Sequence, residues 1–342
     1  MSRAKSIVRL SEMLPDQEGD LFALMTLKEE HTTREGKRYF KVGFRDAGRE
    51  VVFPVWDNSP FAAACRDQWT PGRFYKLRAV YRQSPYGPQL DLRKVRETCP
   101  ADAEDGFDPL MCLPRSRFDA AGMYGELRQL VAQRIPPGPL RRLVEELLEA
   151  DKERLVLHPA GRHHHAFCGG LLEHTLSMAR CCAMLADEYA AKYPDLQPPL
   201  DKAVVVAGAV LHDLGKLEEL AWEPADTAWT PAGALLGHVF LGRDKVRQAA
   251  GRVGLDDETL LRLEHVIVAH QFPPEAAPPR PPMTPEALIV QAADYLAVQF
   301  DIMAEILRRD PAPGPLTSDK NLLHRRLYRG AAPDERASGR GL

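Results

Sequence analysis

Apolar positions in the first hundred residues recur at a period of two, and beyond residue 120 the period lengthens to that of a helix. The runs Leu21–Leu27, Tyr39–Phe44, Val51–Trp56, Phe74–Tyr81 and Gln89–Val95 are separated by Gly, Pro, Asp and Asn, which predicts five strands. A short Ala-rich segment, Phe61–Cys65, interrupts them between the third and the fourth. Strand parity assigns the faces: with Phe40, Val42 and Phe44 inward, Tyr39, Lys41 and Arg45 point outward. In the fourth strand Tyr75, Leu77 and Ala79 face the core, while Phe74, Lys76, Arg78 and Arg82 face out. Farther on, Leu127, Leu130 and Val131, then Leu140, Leu143, Val144, Leu147 and Leu148, keep helical spacing.

Five strands with a helix after the third is the order of an OB-fold, a small barrel that commonly binds single-stranded nucleic acid. The expected architecture is a small all-β OB-fold barrel (1–99), a Pro- and Asp-containing linker (100–119), an all-α domain (120–329) and a flexible tail (330–342). Tyr39, Lys41, Lys76 and Arg78 mix rings and cations on the outward barrel face, which suits stacking on bases and pairing with phosphates, and Trp56 belongs either to the same face or to the core. An ordinary solvated barrel surface fits the parity equally well.

Composition narrows the classes. Hydrophobic residues at 44% and charged residues at 27% over 342 residues exclude a disordered or collagen-like chain. A net charge of −3 argues against coating nucleic acid by bulk charge. That total hides a split, because residues 1–100 carry +5 and the remainder −8. Six scattered cysteines with no C-x-x-C pair argue against a zinc ribbon or a disulfide scaffold. The N-terminus lacks the apolar run of a signal peptide, and the longest apolar stretch, Ala203–Leu211, falls short of the ~20 residues that span a bilayer. The expectation is a cytoplasmic protein with no membrane partner and an open oligomeric state.

The chemistry concentrates in the segment from Val204 to Lys216, where His212-Asp213 emerges directly from an apolar helix. An unpaired buried carboxylate costs several kcal/mol, so a cation is required nearby. His174 and Asp294 have the same placement in apolar helices, His238 follows Gly237 at a helix start, and His270 closes Glu264–His270. Any one of these histidines alone reads best as a hydrogen-bonded core residue. Jointly they read as oxygen and nitrogen ligands of one or two divalent metals.

The order His174, His212-Asp213, Asp294 resembles the H…HD…D signature of HD-domain metal-dependent phosphohydrolases. Within them the chain is most similar to the YhaM-type 3′-to-5′ exoribonucleases, which join an OB-fold to an HD domain. The likeness includes Val55-Trp-Asp, the stretch from His164 to Leu176, Leu211 to Lys216, Leu236-Gly-His, Ala269-His and Pro281 to Ala287. The resemblance implies that His174, His212, Asp213 and Asp294 hold a first metal, with His238 and His270 matching a second that Asp213 bridges. One departure is Gln271, where some HD proteins have a second His, so one ion is favoured over two. Lys216, one turn past the His-Asp pair, is expected to stabilise phosphate charge, with Asp213 as its catalytic partner. His164 and His165, in the run His163–His165, are expected substrate contacts, and Glu173 beside His174 an orienting group or a surface carboxylate. His265 matches no ligand. The implied function is metal-dependent hydrolysis of single-stranded RNA, or DNA, to nucleoside 5′-monophosphates, with Mn²⁺ ahead of Fe²⁺, Mg²⁺ and Zn²⁺. Two alternatives stand: an HD phosphohydrolase acting on a nucleotide, and a non-catalytic nucleic-acid-binding protein with a structural metal.

Overall fold

A computed structural model describes residues 7–85, 87–161, 164–223, 226–271 and 279–330. His163 and the tail beyond residue 330 lie outside the described residues. The chain divides into two units, residues 1–115 with 221–228, and residues 116–220 with 229–342.

The first unit is built on β1 (Glu18–Thr32), β2 (Arg38–Arg45), β3 (Glu50–Trp56), α1 (Ala62–Asp67), β4 (Phe74–Ser84) and β5 (Gly87–Glu97). All pairings are antiparallel, in the order β3-β2-β1-β4-β5. A register shift between Met25 and Leu27 lets β1 pair with β4 along its first half and β2 along its second, and β3 comes back against β5. This is an OB-fold barrel. Alternation places Phe40, Val42, Phe44, Tyr75, Leu77 and Ala79 inside. Phe44 lies edge-on to Trp69 at 5.9 Å and to Tyr75 at 5.8 Å, and α1 contributes Cys65 to the same core.

Residues beyond β5 continue as the short 3-10 turns Pro100–Ala103 and Pro109–Cys112. Asp102, nearly fully buried, accepts from both nitrogens of the Arg96 guanidinium at 2.7 and 2.5 Å, from the Cys99 amide at 2.9 Å and from Lys76 at 3.3 Å. Phe107 then packs on Phe22 and Phe74 at 4.9 and 5.6 Å. The outward side of β4 is therefore covered in part by the segment that the composition marked as a linker.

The second unit is helical: α2 (Ala120–Arg134), α3 (Pro139–Ala150), α4 (Lys152–Leu155), α5 (Gly170–Lys192), α6 (Lys202–Leu211), α7 (Lys216–Glu219), α8 (Pro231–Val253), α9 (Asp257–Ala269) and α10 (Pro285–Arg309). Between α7 and α8 the chain departs from the all-α expectation for 120–329 and forms a two-stranded ribbon, β6 (Leu220–Glu223) with β7 (Asp226–Trp229), whose residues 221–228 group with the first unit. Helix α6 is buried on every side from Val204 to Leu211, as expected for a helix that is apolar all round. Asp201 caps it by accepting from the amides of Ala203 and Val204. Helices α5, α9 and α10 pack around it, so its C-terminal end becomes the deepest point of the bundle.

Candidate metal centre

Two candidate ligands sit inside helices, and the others where an element ends or bends. His174 lies in the second turn of α5, His212 and Asp213 directly follow α6, His270 follows α9, and Asp294 is in the third turn of α10. His238 depends on two glycines. Gly237 has φ +73° inside α8, which breaks the helix there and aims His238 inward. A Cβ on Gly215 would collide with the carbonyl oxygen of His238, so only glycine lets α7 and α8 meet this closely.

The side chains form two trios that share Asp213. In the first, His174 Nε2 lies 3.2 Å from His212 Nε2 and 3.6 Å from Asp213 Oδ2, and Asp294 stands beside this trio with its Oδ1 3.3 Å from His174 Nε2. In the second, Asp213 Oδ1 lies 3.5 Å from His238 Nε2 and 3.6 Å from His270 Nε2. One carboxylate thus turns one oxygen to each trio, the arrangement of a bridging ligand between two ions. All five partners except His238 are buried.

Residues 171–299 match the family model described as HD domain. The helical unit carries an HD domain. The match runs from just before His174 to just beyond Asp294 and so contains both trios. Similar proteins cover nearly the whole chain. The 3'-5' exoribonuclease YhaM of Bacillus licheniformis is 28% identical over 312 residues, 90% of this chain and 93% of that protein. Its namesake from Listeria monocytogenes serotype 4b is 28% identical over 290 residues, 84% of this chain and 88% of that protein. Among solved structures, the second OB-fold domain of replication protein A from Methanococcus maripaludis aligns with 27% of this chain and 93% of that chain. Its 14% identity and TM-score of 0.21 are too slight to carry an argument.

The electrostatics of the HD domain fit a bound cation. His212 Nδ1 lies 2.9 Å from the Ala209 carbonyl and His270 Nδ1 2.7 Å from that of Ile267. Both protons are thereby held on Nδ1, leaving the Nε2 lone pairs facing the carboxylates. Acceptors crowd together with too few donors, a set that repels itself until a positive charge enters. Burial pushes the His212 imidazole towards neutrality, yet Asp213 and Asp294 outweigh it and raise its affinity for a proton. Asp213 and Asp294 are held well below the carboxylate range: burial opposes this, and Lys216 with His212, and His174 with His212, overcome it. The site draws in positive charge, and its oxygen and imidazole donors suit a divalent metal.

Other residues complete the surroundings. Lys216 Nζ lies 2.7 Å from Asp213 Oδ2. Glu219, almost fully buried, accepts from both the amide and the Nδ1–H of His238, at 2.8 and 2.9 Å. It fixes the tautomer that leaves His238 Nε2 towards Asp213. Gln271 Nε2 lies 3.3 Å from that same Nε2. Nothing in the sequence separates Glu219 from its neighbour Glu218, which instead pairs with Arg154 and Lys245. His164 and His165 place their rings 5.8 and 5.7 Å from that of His174. Burial drives their pKa values down to about 3 and about 4. Among the described residues His164 Nε2 and His165 Nδ1 find no hydrogen-bond partner. His165 holds φ +42°, and its amide is tied to Asp301 at 2.8 Å. Glu173 accepts from Ser116 and lies 3.9 Å from His165, and His265 accepts from the Met283 amide.

The barrel residues separate into two groups. Tyr39 stacks between His31 at 5.5 Å and Trp56 at 5.0 Å, because the three are in register across β1, β2 and β3. Lys41 is exposed on the same strand as Tyr39, and Trp56 lines an open cavity of about 700 Å³ with Lys37 and Arg38. Parity did not single out His31, which completes the row. Lys76 and Arg78 are not brought to it. Lys76 is taken up by Asp102 and Asp105 and lies over Phe22, and Arg78 pairs with Glu18.

Proposed function

We propose that this protein is a metal-dependent exoribonuclease that removes nucleoside 5′-monophosphates from the 3′ end of single-stranded RNA. The observation that carries the reading is the pair of trios sharing Asp213, in an HD domain whose chain also holds an OB-fold. Relatives named 3'-5' exoribonuclease along 84% to 90% of the chain supply the direction and the polymer.

His174, His212, Asp213 and Asp294 would hold one ion, and Asp213, His238 and His270 a second. Divalent metal bound there supplies charge for the phosphoryl oxygens and lowers the pKa of coordinated water. Mn²⁺ is the first choice for this oxygen and imidazole set, ahead of Fe²⁺, Mg²⁺ and Zn²⁺. Lys216 brings a fixed cation to the same carboxylate and can share the charge of an incoming phosphate. Burial favours the neutral form of His164 and His165, which offer hydrogen-bonding groups for phosphate or ribose. Tyr39, Trp56 and His31 offer rings on which bases can stack, with Lys41 as a phosphate contact.

Incubation of the full chain with Mn²⁺ and 5′-labelled single-stranded RNA tests the reading. A ladder shortening from the 3′ end, abolished by chelator and by Asp213→Asn, is the expected result. Rapid mononucleotide hydrolysis without shortening would establish the nucleotide phosphohydrolase instead. A 5′-labelled DNA of the same sequence measures how far the sugar matters.

A further inference from the structure

Two clefts of the helical unit open onto His165, and they differ in charge. One, of about 500 Å³, is lined by Asp119, Glu126 and Glu173 against Arg117, which borders both clefts, and Arg180, which is already paired with Glu126. Such a wall repels a phosphate. The other, of about 420 Å³, runs between α5 and α10 and has Arg117 and Arg308 on its rim. Its single lining carboxylate, Asp301, accepts from the His165 amide, and Glu305 lies 3.8 Å from Arg308 at the outer edge.

This second cleft reaches the neighbourhood of the metal centre through His165, whose ring lies 5.7 Å from that of His174. Its α5 wall, Met178 and Cys181, lies one and two turns past His174, and its α10 wall, Ala297 and Phe300, lies about one and two turns past Asp294. At 5.4 Å per turn the cleft extends roughly 5–11 Å from the ligands, the reach of one nucleoside from its phosphate. Its volume falls in the ordinary range for small-molecule sites, about 300–1,000 Å³. Small Ala293, Ala297 and Ala304 keep it open. Phe300 stands over it 68% exposed, although burial of so large a ring would normally favour folding.

We propose that the α5–α10 cleft holds the nucleoside of the 3′-terminal nucleotide, with its base on Phe300 and its phosphate between the metal centre and Arg117. The proposal rests on the exoribonuclease reading for the polymer, but not for the chemistry of the pocket. The wall beside Phe300 is formed by Ala293, Leu296, Ala297 and Ala304, whose side chains carry no group that reads base edges, so stacking there accepts any base, as successive removal along a mixed sequence requires.

The test is a titration of the full metal-loaded chain with adenosine 5′-monophosphate and with ribose 5-phosphate. The wild type should bind the nucleotide at least about tenfold more tightly than the sugar phosphate, from stacking of the base. Phe300→Ala should erase that difference. Ala304→Trp, which fills this cleft from a half-buried position that does not border the acidic one, should weaken the nucleotide at least as much. On RNA both variants should raise KM more than they lower kcat. Equal binding of the two probes by the wild type, or unchanged nucleotide binding in both variants, overturns the proposal. Circular dichroism and metal content matched to wild type establish that the variants are folded. Because the titration needs no hydrolysis, a wild type that fails to shorten RNA counts against the exoribonuclease reading and not against the cleft.

Discussion

Asp213 concentrates the logic of the site in one side chain. It lies at the end of a helix buried from Val204 to Leu211, is itself buried, and is held ionised by Lys216 on one side and imidazoles on the other. The His-Asp pair, His174 and Asp294 could be read from the sequence because a charged group in an apolar run is costly unless it has a task. Glu219 could not, since its role comes from the break at Gly237 that turns His238 back towards it. Glu219→Gln replaces the charge that holds the Nδ1 proton. The expected outcome is an affinity about 10–100-fold weaker for one of two ions, with the other retained, read by competition titration and metal content. Asp102 is a structural counterpart. Arg96 above all holds its carboxyl below the ordinary 3.8. A carboxylate whose pKa is depressed by folding stabilises above its unfolded value and loses that contribution as pH falls. Asp102→Asn should cost about 1–3 kcal/mol at neutral pH. The difference from wild type should shrink as pH drops below about 4, towards the depressed pKa, in urea melts of the two proteins.

At the level of elements, the strands were legible from their alternation and their inward residues from parity. Phe44 illustrates how strongly that pattern is constrained, since one ring touches Trp69 and Tyr75 and closes the barrel. Phe44→Ala should destabilise the barrel by about 3–5 kcal/mol, seen as a lowered melting transition. What parity could not supply was the fate of the outward face. Lys76 and Arg78 share the outward parity of Tyr39 and Lys41, but β4 meets Asp102, Asp105 and Phe107, while Tyr39 packs on His31 and Trp56 of the neighbouring strands and Lys41 is exposed. Covering residues come from outside the strand, so no property of β4 alone announces them. Helix α10 shows a related ambiguity. It is long and apolar enough to cross a membrane, yet it contributes Ala287, Val290 and Ala293 to the helical core and Asp294 to the ligands.

For the molecule as a whole, charge and chemistry divide along the chain. The +5 of the first hundred residues lies in the barrel region, and the −8 of the remainder includes the carboxylates of the metal centre. Removing metal leaves Lys216 as the one fixed cation beside the clustered carboxylates and imidazole lone pairs, while the barrel holds no member of either trio. Chelation should therefore lower the melting temperature of the HD-domain transition and leave the barrel transition in place, by calorimetry with EDTA against Mn²⁺. By itself the sequence determined the element types, the two regions and the residues with no reason to be apolar neighbours, because periodicity and burial cost are local. Only the tertiary structure decided that Asp213 faces two trios, that Glu219 sets His238, and that Phe300 overhangs a cleft beside the ligands. Those relations join side chains from different helices, and their distances depend on how backbones cross, which no spacing along the chain encodes.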